Sequence, residues 1–305
     1  MATWNDISAE IQAVEPSGSP YDVVRRRYLV ALAKHTGRNL ISYYSGWLQK
    51  EPLYMHFPGG FAINDNDKNG FMATVHGLDR SKGLDLILHT PGGGIAATES
   101  IVQYIRSMFG TDVRVIVPQL AMSAGTMIAC AAREIVMGKQ SSLGPIDPQM
   151  NGIPAHGVLE EFERAAKEIK SNPETIPLWQ RIIGHYHPTL IGECEKAIQW
   201  SEEMVREWLV TGMFAKLDEA ERMDKASRVI SEFGDHALTR AHDRHISVEK
   251  ASDAGLNILS LESNQQLQDL VLSVHHSSIQ TIAGTTAAKI IENQLGRSFI
   301  QTITA

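Results

Sequence analysis

The sequence predicts an α/β fold whose core is a parallel β-sheet flanked by helices. Two strand–turn–helix corners carry this prediction. The first is an apolar run at residues 84–88 that breaks at the turn HTPGGG (89–94) and continues as a helix. The second is a β-branched run at residues 113–117, followed by the small residues AMSAG (121–125) and another helix. Short buried strands that alternate with helices are typical of a parallel sheet.

Both corners should lie at the same edge of this sheet, because reactive groups collect at the carboxyl ends of parallel strands. Glycines of the first turn can take backbone angles that let an N–H group point at a ligand. Ser123 begins the second helix, where its hydroxyl can be exposed and the N–H group of Ala124 has no helical partner. One N–H group from each corner would form an oxyanion hole beside a serine. Each corner taken alone is unspecific, since such turns are common and most serines at helix starts are caps.

Four successive motifs make the pair of corners more specific. They read HTPGG (89–93), VPQLAMSAGTMIA (117–129), IVMG (135–138) and SSLGPIDPQ (141–149). This series resembles the serine dehydrogenase proteinase family, which belongs to the ClpP/crotonase superfamily and is related to signal peptide peptidase A. The close resemblance covers residues 84–155, and a weaker one extends to about residue 258.

The resemblance implies a ClpP/crotonase-like fold and a serine peptidase that acts on peptide or protein substrates. We expect neither a cofactor nor a metal. It also implies that Ser123 is the nucleophile and that the N–H groups of Gly93 and Ala124 form the oxyanion hole. Relatives on this fold form rings or stacked dimers and trimers, so we expect a homo-oligomer.

Composition and charge argue against several other classes of protein. The chain has 305 residues and a net charge of −7, from 28 basic and 35 acidic residues, which argues against nucleic acid or an anionic membrane as the main partner. Its two cysteines have no metal-binding or redox spacing and fit a reducing compartment. With no apolar run of about 20 residues and no basic-then-apolar N-terminus, we expect a cytoplasmic protein without a transmembrane segment.

The sequence predicts three parts. Residues 1–19 are expected to form a flexible N-terminal arm, residues 20–260 the ClpP/crotonase-like peptidase domain, and residues 261–305 a helical C-terminal extension. The extension has apolar residues at helical spacing and more near its end, namely Leu267, Leu270, Val271, Val274, Ile290, Ile291, Leu295, Phe299 and Ile300. An apolar face beyond a complete core must be covered, so we expect this segment at an interface between subunits, unless it packs onto its own domain.

Other elements frame the site. Residues 39–48 and 134–137 read as strands, and residues 20–34, 154–170 and 190–209 as helices. The many turn formers at residues 141–148 predict a segment that crosses the mouth of the site. His185 and His187 have no nearby carboxylate, so we expect surface histidines rather than metal ligands.

A serine nucleophile needs a general base. About 25 residues past the serine, where a ClpP-like histidine would be expected, the sequence reads IDPQ, which favours a lysine as in signal peptide peptidases. In the helix at 154–170, Lys170 falls at the edge of the apolar face whereas Lys167 points towards solvent. A lysine base must be buried for its pKa to fall from about 10.4, so Lys170 is the first candidate.

The identity of the base stays open at this point. Lys167 and Lys196 remain, because the related peptidases differ in where the lysine comes from and some take it from a neighbouring subunit. His89 beside the glycine turn and the cluster of His242, Asp243 and His245 are histidine alternatives.

Two other functions compete with a peptidase. A crotonase-like acyl-CoA enzyme would use the same oxyanion hole but would need acidic residues there rather than Ser123. A catalytically silent member of the fold would serve as an oligomeric scaffold.

Overall fold

The computed structural model describes residues 2–14, 19–150, 152–234 and 244–303. The strands are β1 Asn39–Ser45, β2 Leu84–His89, β3 Val113–Val117, β4 Leu120–Ala121, β5 Glu134–Met137, β6 Ser142–Leu143, β7 Gln149–Met150, β8 Ile153–Pro154, β9 Ile258–Ser260, β10 Ala287–Asn293 and β11 Ser298–Thr302. The helices are α1 Trp4–Ala13, α2 Pro20–Thr36, α3 Glu51–His56, α4 Asp67–Val75, α5 Ile95–Phe109, α6 Ala124–Cys130, α7 Ala155–Ser171, α8 Ile176–Ile183, α9 Leu190–Thr211, α10 Glu219–Gly234, α11 Val248–Asp253 and α12 Gln265–Gly284.

Seven strands form the main sheet, in the order β11-β10-β1-β2-β3-β5-β9. The five strands from β1 to β9 in this order are all parallel, whereas β10 and β11 are antiparallel to their neighbours. Helices cover both faces, and the predicted α/β fold with a mostly parallel core is therefore confirmed.

Side chains that alternate along the strands build a core on each face of the sheet. Leu86, Leu88 and Val115 pack with α5, α6, α9 and α10 in the larger core. Ile87 and Ile116 point the opposite way and pack with α2 and α12. The start of α6, and with it the predicted nucleophile, belongs to the first of these faces.

The C-terminal segment is helical as predicted over α12, but the prediction of a helical extension is wrong for residues 287–302. There β10 and β11 continue the main sheet, and Ile290 and Ile291 are fully buried on its two faces. Lys289 and Glu292 of β10 are also fully buried, in ion pairs with Asp67 and Arg25. These two charged residues interrupt the run of apolar residues by which a buried strand is identified in a sequence. The spacing of the remaining apolar residues of β10 therefore resembles that on one face of a helix.

The N-terminal segment also differs from the prediction, because residues 4–13 of the expected flexible arm form helix α1. A capping box of Thr3 and Asp6 starts this helix. Ile7 and Ile11 are buried one turn apart and pack against Val24 of α2. The two isoleucines give this polar stretch enough of an apolar face to dock.

In the part of the chain that the structure describes, no helix combines the length and the apolar character that a membrane crossing requires.

Candidate active site

The two predicted corners meet at the carboxyl ends of β2 and β3. The N–H group of Thr90 donates to Leu120 O over 3.1 Å, and the N–H group of Met122 donates to Thr90 O over 3.0 Å. On the far side of the second corner, the N–H group of Gly144 donates to Thr126 Oγ1 over 2.9 Å. These bonds fix the glycine turn, the serine and the segment after β6 relative to one another.

Ser123 occupies a strained backbone conformation with φ 50° and ψ −115°. It is the one non-glycine residue with positive φ in the described ranges. Ser123 precedes α6 without capping it through its side chain, and it is half-buried. Strain of this kind costs about 1–3 kcal/mol and collects at functional sites, where the surrounding structure enforces it. The hydroxyl is therefore held at a sharp turn, and it makes no hydrogen bond to any described residue.

Two glycines of the first turn lie where no side chain fits. A methyl group on Gly92 would come within 2.7 Å of Ser123 Cβ and 3.1 Å of Ala124 N, and Gly92 has φ 101°. A methyl group on Gly93 would come within 2.3 Å of both the backbone N and O atoms of Ile63. The turn is thus packed directly against the serine on one side and against residue 63 on the other.

Two N–H groups near Ser123 have no acceptor in the part of the chain that the structure describes. Within the described ranges, neither the N–H group of Gly93 nor that of Ala124 donates a hydrogen bond, although the neighbouring N–H groups of Gly92, Gly94 and Gly125 all do. An unpaired N–H group from each corner beside a serine is the arrangement that can stabilise an oxyanion.

A cavity of about 360 Å³ opens in front of Ser123. Its described lining includes the glycine turn, the start of α6, residues 146–150 and one side of α9. Most of these residues are small or apolar, such as Met127, Ile146 and Trp200. Of the segment at 141–148 that the sequence predicts to cross the mouth of the site, residues 146–148 line the cavity, together with residues 149 and 150.

The predicted lysine bases are absent from the described lining of this cavity. Lys170 is exposed, as is Lys167, so the single chain does not provide the burial that a lysine base requires at Lys170. Ala155 N–H, at the start of α7, donates to Pro148 O in the cavity wall over 2.8 Å. Lys170 lies 15 residues further along α7, about 22 Å away along the helix axis.

Lys196 belongs to α9, a helix that lines the cavity. It is exposed on α9, directly before Ala197 and four residues before Trp200, which both line the cavity. Residues four apart on a helix share a face. The Lys196 side chain therefore emerges on the side of α9 that borders the cavity.

His89 does not face Ser123. Its side chain lies on the sheet face of Ile87, opposite to α6. Its ring centroid is 4.5 Å from that of Trp47 in a tilted contact and 5.4 Å from that of His275 in an edge-to-face contact. Burial holds the pKa of His89 well below its ordinary value, with a smaller contribution from His275. The histidine is therefore neutral and on the wrong face to act as the base.

The histidine cluster is only partly described. His245 is exposed, and His242 and Asp243 lie outside the described residues. Ile146 N–H donates to Phe233 O over 2.8 Å, and Ile246 pairs with Leu143. The described residues on either side of 235–243 thus both contact the segment that leads into the cavity.

Several residues of the site were not singled out from the sequence. Asp147 carries the one titratable side chain among the described lining residues, and it is almost fully buried. Trp200 joins the site from 77 positions beyond Ser123, and no local pattern could have identified it. Lys289 and Asp67 form a buried ion pair close to the glycine turn, again without a local signal.

Comparison with known families agrees with this geometry. A family model described as ClpP-like SDH-type serine proteinase matches residues 52–274. This range includes both corners, the cavity and helices α7, α9 and α10.

Two curated relatives from the archaeon Methanocaldococcus jannaschii are similar to the chain. The uncharacterized protein MJ0137 is 30% identical over 196 residues, which are 64% of this chain and 60% of the relative. The uncharacterized protein MJ1495 is 32% identical over 196 residues, which are 64% of this chain and 59% of the relative. The aligned part of the chain spans about three fifths of the length of both relatives.

Proposed function

Because the chain belongs to the ClpP-like SDH-type serine proteinases, we propose that it is a serine endopeptidase that cleaves peptide bonds through an acyl-enzyme on Ser123. The family supports a peptidase or hydrolase. The observation that carries the finer proposal is the strained Ser123, which directly precedes Ala124 and packs against the glycine turn that contains Gly93. The N–H groups of Gly93 and Ala124 have no acceptor among the described residues.

The reaction follows from these groups. Ser123 Oγ attacks the carbonyl carbon of the peptide bond as its proton passes to a general base. The carbonyl oxygen becomes an oxyanion and accepts hydrogen bonds from the N–H groups of Gly93 and Ala124. The protonated base then gives its proton to the leaving amine, and the acyl group remains on Oγ. Water, activated by the same base, releases the second product and restores the serine.

A lysine is the base in this proposal. Lys196 is the candidate within one chain, because α9 presents it on the side of Trp200 and Ala197. Lys170 is the candidate from a neighbouring chain, because α7 places it about 22 Å along the helix axis from Ala155, which bonds to the wall of its own cavity. Either lysine is exposed in the single chain, and a neighbouring subunit packed over it would supply the burial that a neutral amine requires.

The cavity fits an unfolded polypeptide better than a compact polar substrate. Its mostly apolar lining beside Ser123 would accept an apolar side chain next to the cleaved bond. We therefore expect the enzyme to cleave extended segments of peptide or protein substrates, as part of a homo-oligomer like the relatives on this fold.

Hydrolysis of a denatured protein tests the proposal. The purified chain should fragment reduced, unfolded casein, and Ser123→Ala should lose this activity without losing its fold. The control is Ser201→Ala, which alters another serine of the cavity lining whose hydroxyl bonds to Ile198 O over 2.9 Å. Its activity should remain. Turnover of acyl-CoA thioesters by Ser123→Ala would instead support the crotonase-like alternative, and the absence of both activities would support the scaffold.

A further inference from the structure

Two hydrogen bonds from Ile63 hold the glycine turn. The N–H group of Ile63 donates to Gly92 O over 2.8 Å, and the N–H group of Gly94 donates to Ile63 O over 2.9 Å. Gly93 lies between these two bonds, against the backbone of Ile63. The direction of the Gly93 N–H group therefore depends on the position of residue 63.

A buried ion pair in turn fixes the residues on both sides of Ile63. Lys289 Nζ donates to Ala62 O over 2.8 Å and to the two carboxylate oxygens of Asp67 over 2.8 and 2.9 Å. Asp67 Oδ2 also accepts from the N–H group of Asn64 over 3.1 Å. The pair thus holds Ala62 O on one side of Ile63 and Asn64 N on the other.

The hydrogen-bonding groups of the Lys289–Asp67 ion pair nearly all have partners. The three N–H groups of Lys289 have three acceptors, and Asp67 Oδ2 accepts a further bond from the Tyr43 hydroxyl over 2.9 Å. Both charged side chains are fully buried. Burial lowers the pKa of Lys289, while the neighbouring Asp67 opposes this shift. Buried ion pairs are often no more stabilising than apolar residues of the same volume, so net stability is a poor reason for this one. The pair is better explained by a need to hold the backbone on both sides of Ile63 in a fixed position.

We propose that Lys289 and Asp67 are positioning residues for the oxyanion hole, which hold residues 62–64 so that Ile63 aims the N–H group of Gly93 at the substrate oxyanion. This inference rests on the proposed function. It links the last strands of the main sheet to the first corner of the site, because Lys289 belongs to β10.

Two variants and a matched control test the proposal. Asp67→Asn keeps the size of the side chain and removes its charge, and Lys289→Met removes the three N–H groups. Glu292→Gln is the control, because Glu292 lies on the same strand and bonds to Arg25 over 2.6 Å in a buried ion pair on the other face. All variants are compared with the wild type at a temperature at which circular dichroism shows them folded.

The first readout is the rate of Ser123 labelling by a fluorophosphonate together with kcat and KM for a peptide. We expect labelling and kcat to fall about ten- to a hundredfold in Asp67→Asn and Lys289→Met with little change in KM, because a misplaced donor weakens only the transition state. Glu292→Gln should react at the wild-type rate. Wild-type rates in both test variants, or an equal loss in Glu292→Gln, overturn the proposal.

The second readout does not depend on activity. Hydrogen exchange should show loss of protection at the amides of Ile63 and Gly94 in Asp67→Asn and Lys289→Met but not in Glu292→Gln. If the two variants lose protection but the fluorophosphonate never labels the wild type, the proposed function is refuted, while the role of the ion pair in holding the turn is supported. Unchanged protection in both variants refutes that role even if the wild type is an active peptidase. The Asp67→Asn result decides the matter if Lys289→Met does not fold.

Discussion

Ser123 occupies backbone angles that favour glycine, and the reason lies in what surrounds it. Gly92 packs against its Cβ, and Gly144 lies close to its N atom. The N–H group of Gly125 donates to Met122 O over 2.8 Å and closes the turn around it. Any residue other than glycine would be strained by the positive φ at position 123. A nucleophilic side chain at this position is presented at a sharp turn, where it can react with a substrate.

Replacement of Ser123 by glycine should therefore stabilise the fold. We expect Ser123→Gly to raise the free energy of unfolding by about 1–3 kcal/mol, because glycine takes positive φ without strain. Ser123→Ala retains the Cβ atom and should not show this gain. Urea denaturation of both variants and the wild type measures the difference. Equal stability of Ser123→Gly and Ser123→Ala would contradict the strain that we assign to this position.

Gly93 offers a second residue-scale prediction. In Gly93→Ala the new methyl group would lie 2.3 Å from both the backbone N and O atoms of Ile63. Either the backbone of Ile63 or the glycine turn must therefore move. Loss of one oxyanion donor lowers kcat about 10²–10³-fold, and we expect an effect of this size. The control is Gly94→Ala, where the nearest atom is Ile63 O at 3.7 Å. Similar kcat values for the two variants would refute the role of Gly93.

At the scale of elements, the sequence predicts best where a local rule decides the structure. The two corners are short motifs of glycine, proline and small residues, and the structure forms turns at both. Local rules do not predict strand β10, because the burial of Lys289 and Glu292 depends on partners more than 200 positions away. The general base is undecided for the same reason. Helical periodicity gives the face of Lys170 but not which neighbour, if any, covers that face.

Helix α12 contacts the sheet through a buried pair of histidines, which predicts a dependence of stability on pH. Burial lowers the pKa of His275 to about 3, with a smaller effect of His276, and holds the pKa of His89 well below its ordinary value. In the unfolded chain both histidines titrate near pH 6.5. Below that pH the unfolded state binds more protons than the folded state, so stability falls as the pH falls. The expected slope is about 1.4 kcal/mol per pH unit for each histidine.

Urea denaturation between pH 7 and pH 5 measures this slope in a range above the usual titration of carboxylates. His275→Phe keeps a ring in the contact with His89 and should lower the slope by about half. A stability that does not change across this range would show that the two histidines are not buried in their neutral forms.

At the scale of the whole molecule, the chain covers much of the C-terminal apolar surface itself. Ile290 and Ile291 are buried in the sheet, whereas Leu295 and Ile300 remain 58% and 38% exposed. A truncation near residue 263 would remove α12, β10 and β11 and uncover β1, so it would disturb folding as well as assembly. The homo-oligomer stays a prediction, which light scattering on the intact 33.6 kDa chain can test.

Mixing of inactive variants can show whether the base comes from the same chain. If Lys170 serves a neighbouring subunit, refolded mixtures of Ser123→Ala with Lys170→Ala should regain activity, because some sites combine an intact serine with an intact lysine. If Lys196 acts within one chain, Lys196→Ala should be inactive and its mixture with Ser123→Ala should stay so. Lys167→Ala is the control, since Lys167 is 79% exposed and pairs with Glu163. Full activity of both the Lys170 and Lys196 variants would exclude both lysines.

Covalent labelling of the intact protein tests the central claim most directly. After reaction with a fluorophosphonate, the mass of the wild-type chain should increase by one phosphonyl group, and peptide mapping should place that group on Ser123. Ser123→Ala should keep its original mass under the same conditions, while Ser201→Ala should still be labelled on Ser123. A wild-type chain that stays unmodified, or a Ser123→Ala variant that is labelled as fast as the wild type, would contradict the account of Ser123 as the nucleophile.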